Sequence, residues 1–208
     1  MGSHQQASLG IYRGITCHYY RTLVLCPDIL NKSLTGHRPK SFPWKYDETA
    51  SDCVLLKEVL MAQIEALADR GVTDFLSGMA QGTDLWCSEI VLDFKKNNPA
   101  LMLHCILPCK GQESKWTVSV QERYNSILAQ ADEVIYVGQE YSKDCMLKRN
   151  RYLVEHSSFL LAVYNGTRRS GTGATVRYAQ QLNREIIMID PAGPFRYNSN
   201  IPFMEERI

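Results

Sequence analysis

Val72-Thr73-Asp74-Phe75-Leu76-Ser77-Gly78-Met79-Ala80-Gln81-Gly82-Thr83-Asp84 is the stretch on which the fold turns. Residues 72–76 read as a short strand that stops at a small-residue turn with two glycines. The turn opens onto Cys87, Ile90, Val91 and Phe94, which recur at helical spacing. Strand, glycine turn and helix in that order make half of a βαβ unit. The pattern repeats on both sides. Upstream, Leu56, Val59, Leu60, Ile64 and Leu67 form a helical face that Gly71 terminates. Downstream, Asn97-Asn98-Pro99 closes the second helix, and Leu101 to Leu107 is the nearly continuous apolar run of a strand buried on both faces.

The alternation then runs to the end of the domain. Val120, Tyr124, Ile127 and Leu128 predict a third helix, Glu133 to Val137 a strand, and 143–157 a polar helix. Phe159 to Tyr164 is a further buried strand, Thr175, Tyr178, Ala179 and Leu182 a further helical face, and Glu185 to Ile189 the last strand, ended by Asp190-Pro191. Strands alternating with such helices imply an α/β architecture with right-handed crossovers. The expected fold is a Rossmann-like three-layer domain over 31–191, its sheet mainly parallel, with helices on both faces. Residues 1–30 are read as an extension; Thr22 to Cys26 could be a short strand, stopped by Pro27 and Asp28. Residues 192–208, rich in Pro, Asn and Gly, are expected to be an irregular tail.

Composition narrows the function. The 208 residues are 45% hydrophobic, enough for one sizeable core. A formal net charge of +1 speaks against a strongly basic nucleic-acid grip, without excluding a local basic cluster. No run approaches the roughly 18 apolar residues of a membrane span. Met1-Gly2-Ser3-His4 does not open a secretory signal, so a cytoplasmic protein with reduced thiols is expected. The seven cysteines form no CxxC and the five histidines no HxxxH or HExxH, so no metal site and no required cofactor are expected.

In an open parallel sheet, ligands bind beyond the carboxyl ends of the strands. Three loops there carry candidate chemistry. The first is Thr35-Gly36-His37-Arg38-Pro39, where Gly36 can take positive φ and Thr35 and Arg38 can hold an anion, or the segment is a turn with a solvated Arg. In the second, Ser77, Gly78, Met79, Gly82, Thr83 and Asp84 precede a helix whose free N–H groups suit a phosphate. Asp84 would compete with an anion there, but could hydrogen-bond a ribose hydroxyl; a capped tight turn is the plainer alternative. In the third, Asn165, Gly166, Ser170, Gly171, Thr172, Gly173 and Thr175 resemble a phosphate cradle without the Gly-Lys-Ser/Thr ending of a P-loop. Trp116 could stack on a base or belong to the core. Arg149, with Asn150 beside it, could reach a phosphate or be part of a surface charge run.

Together, the Thr35–Pro39 and Ser77–Asp84 segments, the Arg149-Asn150 helix and the Gly/Thr loop before Val176-Arg177-Tyr178-Ala179 resemble the YpsA-like family of the SLOG superfamily, which is named for Smf/DprA and the Lonely guy proteins. The resemblance covers about residues 33–191. It implies a Rossmann-like fold and a pocket for a nucleotide or nucleotide-derived ligand. Lonely guy enzymes cleave the N-glycosidic bond of cytokinin nucleotides with a PGGxGTxxE motif, whose Glu position falls on Arg177 here. Glycosidic hydrolysis needs a carboxylate to stabilise an oxocarbenium-like centre or activate water. One departure from the family stands out: before Thr35 the segment is Ile29-Leu30-Asn31-Lys32-Ser33-Leu34, with polar residues where the first strand should be buried, so that strand is expected to be irregular, or its proper start replaced.

The leading expectation is therefore binding of an ADP-ribose-like or cyclic-nucleotide signal, for sensing or sequestration, without catalysis. The alternatives are a phosphoribohydrolase acting through Asp84 and single-stranded DNA binding of the DprA kind, which the near-zero net charge disfavours. The resemblance also implies a homo-oligomer.

Overall fold

The structure, a computed structural model, describes residues 31–192 and 197–199. The extension before Asn31, with its possible strand at 22–26, lies outside the described residues.

Six strands alternate with five helices. They are β1 (Asn31–Gly36), α1 (Ser51–Asp69), β2 (Asp74–Ser77), α2 (Thr83–Lys95), β3 (Met102–Leu107), α3 (Val118–Gln130), β4 (Glu133–Tyr136), α4 (Cys145–Glu155), β5 (Phe159–Val163), α5 (Gly171–Gln181) and β6 (Glu185–Ile189). A single 3-10 turn, Pro39–Ser41, follows β1. The sheet order is β4-β3-β2-β1-β5-β6, all parallel, giving the Rossmann-like three-layer α/β fold. Within the tail expected to be irregular, a seventh strand, β7 (Tyr197–Ser199), pairs antiparallel with β6.

Alternation along the strands sends side chains to two cores. Leu103, Cys105 and Leu107 of β3 and Leu161 and Val163 of β5 face α1, α2 and α3 in the larger one. Leu160 and Ala162 of β5 and Ile186 of β6 face Val154 of α4 and Val176 and Ala179 of α5. Helix α1 ends as the sequence predicts, on Gly71 at φ +87°. Cys53, Cys87, Cys105, Cys109 and Cys145 are buried free thiols.

β1 corrects the sequence reading. It is a regular six-residue strand at the sheet centre, in register with β2 on one side and β5 on the other. Its polar residues are accommodated singly. The Ser33 hydroxyl accepts from Ser157 at 2.9 Å. Lys32 is fully buried against the Phe159 ring, with Nζ lacking a hydrogen-bond acceptor. Backbone ladders on both edges hold the strand whatever its side chains prefer.

The chain winds outward from β1 to β4, then returns to place β5 on the other side of β1. The order reverses between β1 and β5, and the crevice at such a reversal is where open α/β sheets bind ligands.

Candidate functional site

The first and third glycine loops flank this reversal and touch. The His37 amide donates to Val163 O at 3.2 Å, and His37 Nε2 lies 2.8 Å from Asn165 Oδ1. The Thr172 hydroxyl, in the first turn of α5, donates to Gly36 O at 3.0 Å. Burial lowers the His37 pKa, which keeps the ring neutral near pH 7. Asn165 accepts the Thr167 amide at 3.1 Å and so shapes the loop. Ser170 caps α5, accepting from the Gly173 amide at 3.0 Å. The α5 amides of Gly171 and Thr172 have no intrahelical acceptor and carry the positive end of the helix dipole.

Open space lies over this part. A Cβ at Gly166 (φ +81°) or Gly171 would meet nothing within 4 Å. Gly173, by contrast, packs against Thr167 O and the Tyr164 hydroxyl. Arg38, exposed, forms no ion pair among the described residues, and its charge reaches both Asp84 and Arg149. Thr35 is almost fully buried.

The second loop lies one strand over, at the tip of β2, and is closed by the protein's own groups. Ser77 Oγ accepts from the Met79 amide at 3.2 Å and from Ser88 at 2.8 Å. Met79 is fully buried at φ +55°. Thr83 donates to His37 O at 3.2 Å, and Gly82, at φ +98°, packs on Pro39. Asp84 is 4% exposed, accepts from the Ala80 amide at 3.1 Å, and stands 3.7 Å from Arg149. Burial pushes its carboxyl up against the opposing pull of Arg149. These side chains hold the loops together and do not face an open cleft.

Arg149 is buried and is not part of a surface charge run. Reaching over from α4 on the opposite face, its buried guanidinium donates to Gly78 O. Asn150 ties α4 to α5, donating to Thr175 Oγ1 at 2.9 Å, which in turn donates to Gly171 O. Trp116 takes the core alternative: it is half-buried and packs edge-on against Tyr124, ring centroids 5.4 Å apart. Sequence reasoning missed Gln112. Its amide donates to Met79 O at 3.0 Å, bracing the strained loop from the β3–α3 connection. No motif marks it; a lone Gln in a polar loop carries no signal.

Elsewhere, a cavity of about 610 Å³ lies between α1, α2 and α3. Most of its charged lining is paired: Arg123 bridges Glu48 and Glu89, Glu48 also holds Lys57, and Lys96 pairs with Asp93. Among the described residues there is no group of three or more potential metal ligands, and no helix is long and apolar enough to cross a membrane.

A parallel sheet reversing at β1/β5, with glycine loops meeting over the reversal, defines a Rossmann-like α/β domain. Residues 33–192 match the YspA SLOG family, and the chain belongs to that family. Among its relatives, a UPF0398 protein of Bacillus pumilus (strain SAFR-032) is 29% identical over 180 residues, spanning 84% of this chain and 96% of that one. The uncharacterized SPbeta prophage-derived protein YoqJ of Bacillus subtilis (strain 168) is 34% identical over 142 residues, spanning 61% and 81%. Among solved structures, DNA processing protein A from Helicobacter pylori, described for its single-stranded DNA binding mode, superposes with a TM-score of 0.54 at 19% identity, covering 82% of this chain and 68% of that one. The Streptococcus pneumoniae protein (DprA) gives 0.51 at 13% identity, covering 77% and 50%. At these identities the likeness is one of fold.

Proposed function

We propose that the β1/β5 crevice binds the phosphate end of a nucleotide-derived small molecule, ADP-ribose-like or cyclic, for sensing or sequestration. The observation that carries this reading is the open space over Gly166 and Gly171, beside the α5 N-terminus and the unpaired Arg38, at the topological reversal of the sheet. The first turn of α5 holds no acid, so an anion meets no competing carboxylate there.

Binding without turnover is the better-supported reading. Asp84, the carboxylate of the second glycine loop, is engaged by the Ala80 amide and faces Arg149. Arg177, at the position of the Lonely guy motif Glu, is exposed and donates to Arg168 O at 2.8 Å.

Two measurements test this together. Mass spectrometry of small molecules released from the purified, denatured protein should find a nucleotide-type species. Calorimetry with ADP-ribose and with cyclic nucleotides should show binding by at least one that Arg38→Ala weakens tenfold or more, the scale of one charge-assisted contact. Unchanged binding in that variant, or no binding by any nucleotide tried, would contradict the reading. Release of a nucleoside or base by the parent protein, lost in Asp84→Asn, would favour the hydrolase instead.

A further inference from the structure

The near-neutral net charge conceals a segregation. Between residues 143 and 184 stand eight of the 23 Lys and Arg residues of the chain but only two of its 22 acids, Asp144 and Glu155. That segment builds α4, β5 and α5, and the two helices pack side by side on one face of the sheet. The opposite face has the reverse balance. On α1, Asp52, Glu58, Glu65 and Asp69 are all exposed, against a single lysine, Lys57.

Both acids of the basic segment are occupied. Asp144 pairs with Lys148 at 3.0 Å, and Glu155 accepts from the Tyr178 hydroxyl at 2.5 Å. Arg151, Arg168, Arg169 and Arg177 are exposed and form no ion pair among the described residues. Three of them are joined by direct contacts or a shared cleft. Arg177 donates to Arg168 O at 2.8 Å, and Arg151 and Arg177 line one shallow cleft of about 160 Å³ between the helices, with Leu147, Tyr178 and Gln181. The Arg151 guanidinium lies 5.6 Å from the Tyr178 ring. Unpaired cations flanking a half-exposed aromatic ring over a shallow cleft suit a chain of phosphates with a base free to stack. A duplex keeps its bases inside and would leave the ring unused.

We propose that the α4–α5 face is a docking surface for single-stranded DNA, held through its phosphates by these four arginines. Asn150 and Thr175 are already bonded to each other, which leaves Gln181 as the cleft's one uncharged amide free to read a ribose 2′-hydroxyl. Arg168 and Arg169 stand in the loop between Gly166 and Gly171, so this surface adjoins the β1/β5 crevice, while Arg151 and Arg177 lie away from it on the helices.

The test is fluorescence anisotropy of the full chain with a labelled oligothymidylate across a salt series. Four neutralised phosphates give a slope of about −3 in log K against log salt. Arg151→Glu/Arg177→Glu should lose at least tenfold in affinity and flatten that slope. Arg151→Glu/Arg169→Glu repeats the reversal without breaking the Arg177–Arg168 bond, and unchanged thermal midpoints establish that both variants fold. Lys96→Glu on the other side of the sheet should bind as the parent does. No binding at about 50 mM salt, affinity unmoved by both double reversals, or tighter binding of oligouridylate, anionic-lipid vesicles or polyglutamate would overturn the proposal.

Discussion

A Cβ on Gly36 would sit 2.4 Å from Thr83 Oγ1 and 2.5 Å from Thr83 Cβ, a branched side chain held in the first turn of α2. Nothing there can swing aside. Gly36→Ala should cost about 1–3 kcal/mol, the range for overpacking, read as a lower urea midpoint. Gly171→Ala, with nothing within 4 Å, should stay within about 0.5 kcal/mol of the parent. The sequence marks both positions as glycines in loops. Only their surroundings separate the one that locks two loops together from the one that faces solvent.

Lys32 is a second case at this scale. Burial lowers its pKa from 10.5 to about 6, with Glu185 opposing and Arg70 assisting. The unfolded chain keeps its proton up to the ordinary value while the folded chain sheds it above about 6, so stability should rise with pH through that window. Lys32→Met should remove the slope and raise stability at pH 7 by on the order of 3–5 kcal/mol. Urea titrations at pH 6, 7.5 and 9 check it, and a parent slope of zero would contradict the burial. A lysine in a strand reads from sequence as a solvated residue. Its central placement follows from β1 lying between β2 and β5, a long-range pairing that no local pattern encodes.

The elements themselves were largely legible. Apolar runs and helical spacing located five of the six parallel strands and the helices, because both periods are fixed by backbone geometry, whereas β1, with Asn31, Lys32 and Ser33, carries no such signal. Which strand tips become neighbours was less legible, and it decides the site. The Ser77–Asp84 turn looks in sequence like an anion cradle equal to Asn165–Thr175. It sits at β2, outside the reversal, and is filled by Thr83, Asp84 and Arg149. The α5 turn keeps its outer side open and depends on its cap. Ser170→Ala removes the acceptor for the Gly173 amide and the donor to Thr167 O, and should cost about 1 kcal/mol. Faster hydrogen exchange of the Gly173 amide, with the exchange of α2 unchanged, is the accompanying local readout.

For the whole molecule, net charge was a poor guide because it averages over two faces of opposite sign. The same averaging hides Arg149, whose charge belongs by sequence to the basic helix and by position to the buried junction under the glycine loops. That junction holds α4, β1 and β2 in one arrangement and leaves the β1/β5 crevice as the open end of the sheet. Backbone amide shifts of the ¹⁵N-labelled protein, followed as ADP-ribose is added, test this most directly. The expected result is movement of the Arg38, Gly166, Gly171 and Thr172 amides, with Ala80 and Asp84 little changed. Shifts confined to the 610 Å³ cavity between α1, α2 and α3, or none at millimolar ligand, would contradict it.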